Sequence, residues 1–89
     1  MAVHRVELLP AAEKELEKLP ADVQRAVVDK LTSLGQDPRG GGVRKLAGTE
    51  DLYRVKVRKD YRIVYQVQSR ALLVLVIRVR HRREAYRGL

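Results

Sequence analysis

The sequence predicts an α+β fold in which a short N-terminal strand and a helical hairpin precede a mainly antiparallel sheet of four to five strands, with the hairpin packed on one sheet face. Three observations predict it. Apolar residues recur at helical spacing between Ala12 and Leu34, basic and apolar residues alternate at strand spacing from Arg54 onward, and the connections between the later strands are too short for anything but hairpins. Charge is divided along the same line. Residues 1–42 carry 6 Lys/Arg against 7 Asp/Glu and residues 43–89 carry 13 against 4, within a net charge of +8.

Val3, Val6, Leu8 and Leu9 form the first strand, which Pro10 stops. Ala12, Leu16 and Leu19 then recur at spacings of four and three, with Glu13 and Glu15 near the positive end of the helix, and Pro20 interrupts the pattern. A second helix starts from Pro20-Ala21-Asp22 and carries the stripe Val23, Val27, Leu31 and Leu34; Gly35 stands where a left-handed C-cap is usually found. The loop from Gln36 to Gly42 holds three consecutive glycines and is expected to be mobile. Val43-Arg44-Lys45-Leu46 follows them where a phosphate-cradling loop would need Lys-Ser/Thr at a helix start, so the loop is read as structural.

Strands are predicted at about 43–46, 52–58, 61–68 and 72–80. A period of two sorts each strand into two faces. Tyr53, Val55 and Val57 oppose Arg54, Lys56 and Arg58; Ile63, Tyr65 and Val67 oppose Arg62, Val64 and Gln66; Leu73, Leu75, Ile77 and Val79 oppose Val74, Val76, Arg78 and Arg80. The first set of each pair is expected under the helices, because they need an apolar surface to cover, and the cations on the open face.

At 89 residues the chain is a single domain, 1–89, and its core is aliphatic, since the only aromatic residues are four tyrosines. With no cysteine and two histidines it has no disulfide frame, no thiolate nucleophile and no metal site; no cofactor is expected. The N-terminus lacks the apolar core of a signal peptide, so the cytoplasm is the expected compartment. The longest apolar run, Ala71–Ile77, is far short of the roughly 20 residues that span a bilayer as a helix, and no membrane is expected. A basic half ordered by strand period points to a polyanionic partner, nucleic acid first, with an acidic protein or anionic lipid behind it.

Lys45-Leu46-Ala47-Gly48, Leu52-Tyr53-Arg54-Val55-Lys56-Val57-Arg58, Asp60-Tyr61-Arg62-Ile63-Val64-Tyr65-Gln66-Val67 and Val76-Ile77-Arg78-Val79-Arg80-His81-Arg82-Arg83-Glu84-Ala85-Tyr86-Arg87 together resemble the RelE branch of the RelE/ParE toxin superfamily. The resemblance covers nearly the whole chain and implies a RelE-like fold. It further implies the toxin of a type II toxin–antitoxin pair, a ribosome-dependent endoribonuclease that cuts messenger RNA in the A site and is held inactive by a cognate antitoxin. The implied chemistry is metal-free: the ribose 2′-hydroxyl attacks the adjacent phosphorus and leaves a cyclic phosphate and a 5′-hydroxyl. Such a reaction needs a base, cations for the growing phosphate charge and an acid for the leaving oxygen.

By the resemblance, Arg54 and Lys56 stand where the family places paired lysines near the nucleophile, Arg62 where an arginine contacts the scissile phosphate, Arg82 where a second arginine assists phosphate or leaving group, and Tyr86 where a tyrosine stacks on or orients the substrate. Position 54 departs from the pattern, because a guanidinium is a poor proton acceptor. Lys56, with the like charges Arg54, Arg58 and Arg62 around it, is the first choice for the base, and His81 the second. Lys45, Arg58, Arg80 and Arg83 are the further candidates for contacting RNA. Simple solvation competes with such a role at Arg58, as at Arg44, Arg70 and Arg78. His4 is read as a surface residue, and Tyr53 and Tyr65 as core with their hydroxyls at its edge. Two other readings stand beside the enzyme: a ParE-like inhibitor of DNA gyrase, which would not need the basic and tyrosine set, and a decayed toxin that only binds antitoxin or RNA.

Overall fold

The structure is a computed structural model and describes residues 3–40, 42–46, 51–81 and 83. Its elements run β1 (Arg5–Leu8), α1 (Pro10–Glu17), α2 (Ala21–Gln36), β2 (Val43–Lys45), β3 (Leu52–Val57), β4 (Tyr61–Gln68) and β5 (Leu73–His81), with a single 3₁₀ turn at Ser69–Ala71. Pro10 opens α1, where its missing N–H has no partner to lose. The hairpin is closed by Gln24, whose side-chain amide donates to the carbonyls of Glu17 and Leu19, both at 3.0 Å. Among the described residues no helix is long and apolar enough to cross a membrane.

The five strands lie in the order β1-β5-β4-β3-β2; β1 pairs parallel with β5 and the other pairs are antiparallel. The apolar stripe of α2 packs with Ala12 of α1 against Val55, Val57, Ile63, Tyr65, Val67, Val74, Val76 and Val79, which together form the core. Tyr65 is wholly enclosed and its hydroxyl donates to the Pro38 carbonyl at 2.6 Å, so burial pushes that hydroxyl above its ordinary pKa. Tyr53 stacks on it at 5.9 Å between centroids and accepts a hydrogen bond from Arg39 Nε at 3.1 Å.

Two sequence expectations change here. Gly35 lies inside α2 and does not cap it; β1 crosses at this point, with the His4 N–H donating to the Gly35 carbonyl at 2.6 Å, and a Cβ on residue 35 would sit 3.1 Å from the His4 carbonyl oxygen. The glycine is needed for close approach. In β5 the inward set is Val74, Val76 and Val79, whereas Leu73, Leu75 and Ile77 are only half-buried. The cause is a bulge: Tyr65 pairs with Val76 but Val64 pairs with Arg78, so Ile77 is an extra residue and the faces exchange there. The exchange also keeps Arg78 and Arg80 out of the core. With Val74 and Val76 inward, unbroken alternation would have driven both arginines under the helices.

Candidate functional site

Pairing registers place Lys56 opposite Arg62 and Arg62 opposite Arg80, so three cations from β3, β4 and β5 form one row across the open face. Adjacent members of such a row are separated by about 5 Å at Cβ. The next row joins Arg44, Arg54, Val64 and Arg78. Val64 is fully buried outside the main core, an apolar floor between the arginines. No Asp or Glu occupies a strand position in either row, although Glu15 of α1 reaches Arg78 and Arg80.

Arg62 is the least ordinary of these side chains. The residue is only 9% exposed, and its Nη1 donates to the carbonyls of Tyr61 at 3.0 Å and Lys59 at 3.2 Å. Those bonds fix the guanidinium against the β3–β4 turn. No ion pair to a described carboxylate neutralises it. Burying an uncompensated charge is unfavourable by several kcal/mol, so the position favours any anion that reaches it. Arg78 and Arg80 differ, because both are paired with Glu15 of α1. Among the described residues no three His, Asp or Glu side chains are grouped so as to hold a metal ion.

A model of the ParE toxins of type II toxin–antitoxin systems matches residues 6–86. The mRNA interferase toxin RelE of Escherichia coli K12 is 40% identical over 76 residues, which span 82% of this chain and 79% of that protein. The chain belongs to the RelE/ParE toxin family. Toxin RelG of Mycobacterium tuberculosis is 32% identical over 88 residues, 94% of this chain and 97% of that one. Among solved structures, the isolated E. coli RelE toxin superposes with a TM-score of 0.78 at 34% identity, covering 90% of this chain and 84% of the other. The toxin in the intact E. coli RelBE toxin–antitoxin complex gives 0.76 at 35% identity, covering 88% and 94%. The chain is thus a RelE-type toxin in sequence and in fold.

Within this RelE-type chain the residues expected from sequence separate into groups. Arg54, Lys56, Arg62 and Arg80 share the open face. His81 does not: it pairs with Tyr61 on the helix side, with the two rings edge to face at 5.6 Å, and its Nδ1 accepts the Arg83 N–H at 3.3 Å. Arg83 is exposed beyond the end of β5. Lys45 pairs with Tyr53 and so also lies in the helix-side register, while its neighbour Arg44, where solvation competes with an RNA contact, aligns with Arg54. Arg58 follows the last residue of β3 with φ 51° and ion-pairs with Asp22 of α2 at 3.3 Å, because the turn breaks the alternation that had grouped it with Lys56. Arg82 and Tyr86 lie outside the described residues. The sequence pattern marks Glu15 only as a helix-dipole residue; its contacts with β5 join positions too far apart in the chain for any local pattern to reveal them.

Proposed function

We propose that this chain is a ribosome-dependent endoribonuclease that cuts messenger RNA by attack of a ribose 2′-hydroxyl on the adjacent phosphate. The observation that carries the reading is the buried Arg62 guanidinium, with no described carboxylate against it, between Lys56 and Arg80 on an open face. A phosphate there would supply the missing anion, and the interaction would strengthen as charge grows on the phosphoryl oxygens. Lys56, directly opposite Arg62, is the candidate base for the 2′-hydroxyl, and Arg54, two residues back on the same face, adds positive potential. His81 faces the other way by register, which favours Lys56 for that role. Arg82 is the candidate for assisting the phosphate or the leaving group, and Tyr86 for stacking on or orienting the substrate. The name of the E. coli relative, mRNA interferase, supports the reaction class.

The chain's partners in this reading are the programmed ribosome with its message in the A site, and a cognate antitoxin. The E. coli toxin has been solved in complex with its antitoxin RelB. An antitoxin segment that folds on contact would set carboxylates against the cationic rows and apolar anchors on the half-buried Leu73 and Leu75 beside them. The site of action is the cytoplasm.

A second reading, gyrase inhibition, is favoured by the ParE description of the matching family model. Mapping of 5′ ends in messenger RNA after brief induction separates the two. New ends within translated codons are expected; intact message with arrested DNA replication would replace the ribonuclease with the gyrase inhibitor.

A further inference from the structure

β1 accompanies β5 only as far as the Leu8–Val76 pair, so among the described strands the flank of β5 beyond Val76 is an open edge. A side chain from α1 reaches this edge. Glu15 Oε1 accepts the Val79 N–H at 3.0 Å, while Oε2 accepts a hydrogen bond from Arg80 Nε and lies 3.9 Å from Arg78 Nη1. All three side chains are largely withdrawn from solvent, 21% exposed for Glu15, 22% for Arg80 and 28% for Arg78. A single carboxylate therefore ties the helix layer, the β5 backbone and the last cation of the Lys56–Arg62–Arg80 row together.

We propose that Glu15 is a positioning residue for the cleavage face, acting through Arg80 and Arg78. The inference rests on the endoribonuclease reading. In its row Arg80 is repelled by Arg62 and Lys56, and a side chain of that length has many rotamers open to it. Glu15 opposes both effects. It engages Nε, which directs the terminal guanidinium nitrogens, and it supplies the local negative charge that lets cations stand side by side before substrate arrives. The bulge at Ile77 aims Arg78 and Arg80 at the open face, and Glu15 fixes how they lie once aimed.

Glu15→Gln isolates this role, because the amide oxygen can still accept the Val79 N–H while the ion pairs are lost. The expected result is a single-turnover cleavage rate on programmed ribosomes lower by about tenfold, with KM moved far less, as for a group held slightly out of place. In an Arg80→Met background the same substitution should change the rate little, since its effect runs through Arg80. An equal loss in both backgrounds would assign Glu15 to the fold alone and overturn the positioning role. So would a Glu15→Gln chain that cuts as fast as the parent or faster, or whose loss lies wholly in KM. A parent chain that leaves the message intact would overturn the ribonuclease reading and this inference with it, whereas an active parent with an unaffected Glu15→Gln variant overturns the positioning role only.

Discussion

Replacing Arg62 with methionine should make the protein more stable and nearly inactive. The residue is 9% exposed, its described partners are two backbone carbonyls, and no described carboxylate offsets its charge. Replacing a buried ion pair by apolar side chains of similar volume is neutral or stabilising by about 1–4 kcal/mol, and a guanidinium with no described counter-charge has no pair energy to lose in the exchange. Against this stand the two lost hydrogen bonds, which cost about 1 kcal/mol net because the Lys59 carbonyl lies in an exposed turn that water can reach. The balance is a gain of about 1 kcal/mol, equivalent to about 4–8 °C in Tm for a domain of this size. Single-turnover cleavage of ribosome-bound message should meanwhile fall by about 10²–10³, the loss typical of removing one donor to a developing oxyanion. Thermal unfolding and quenched cleavage on the same preparation measure both. A lower Tm would make the guanidinium a structural tie of the β3–β4 turn, and retained cleavage would remove it from the reaction.

Lys56→Ala should slow single-turnover cleavage, with part of the loss recovered as pH rises and solvent bases substitute; an unchanged rate would move the base elsewhere. Affinity for ribosomes should fall steeply with salt, and Lys56→Ala or Arg80→Ala should each lower the log–log slope by about one if that side chain contacts a phosphate. Tyr65→Phe should cost about 1–2 kcal/mol in denaturant unfolding at neutral pH, since it leaves the Pro38 carbonyl inside the fold without its donor. The same variant should flatten the alkaline limb of the stability curve. Burial raises the folded-state pKa of Tyr65 above the unfolded value of 10.0, so its contribution is complete below pH 10 and is lost above it at about 1.4 kcal/mol per pH unit.

Much of the fold could be read because local pattern and global packing agree. The stripe Val23, Val27, Leu31 and Leu34 admits one helix face, and all four residues are buried. The Arg54–Lys56 and Arg62 registers likewise leave one orientation, because the alternative buries several cations at once. Residues 73–77 are different. Every one of Leu73, Val74, Leu75, Val76 and Ile77 is apolar, so alternation does not say which set faces inward, and the bulge that decides it depends on the partner strand. Gly35 failed for a similar reason, since a close approach by β1 and a helix cap ask for the same residue. At the candidate site, Lys56 and Arg62 can be placed by register alone, whereas Arg80 reaches the same face through the bulge. Arg58 leaves the face that alternation assigns it because a left-handed turn after β3 moves its side chain to another surface, and Lys45 takes the helix-side register through its pairing with Tyr53.

The identity of the nucleophile bears most directly on the reaction assigned to the open face. Ribosomes carrying a message with a single 2′-deoxy nucleotide on the 5′ side of the cleaved bond should be left uncut at that position by the purified chain, while the all-ribose message yields a product ending in a cyclic phosphate. Equal cleavage of the two messages would show that the 2′-hydroxyl does not attack, and the roles given to Lys56 and Arg62 would fall with it.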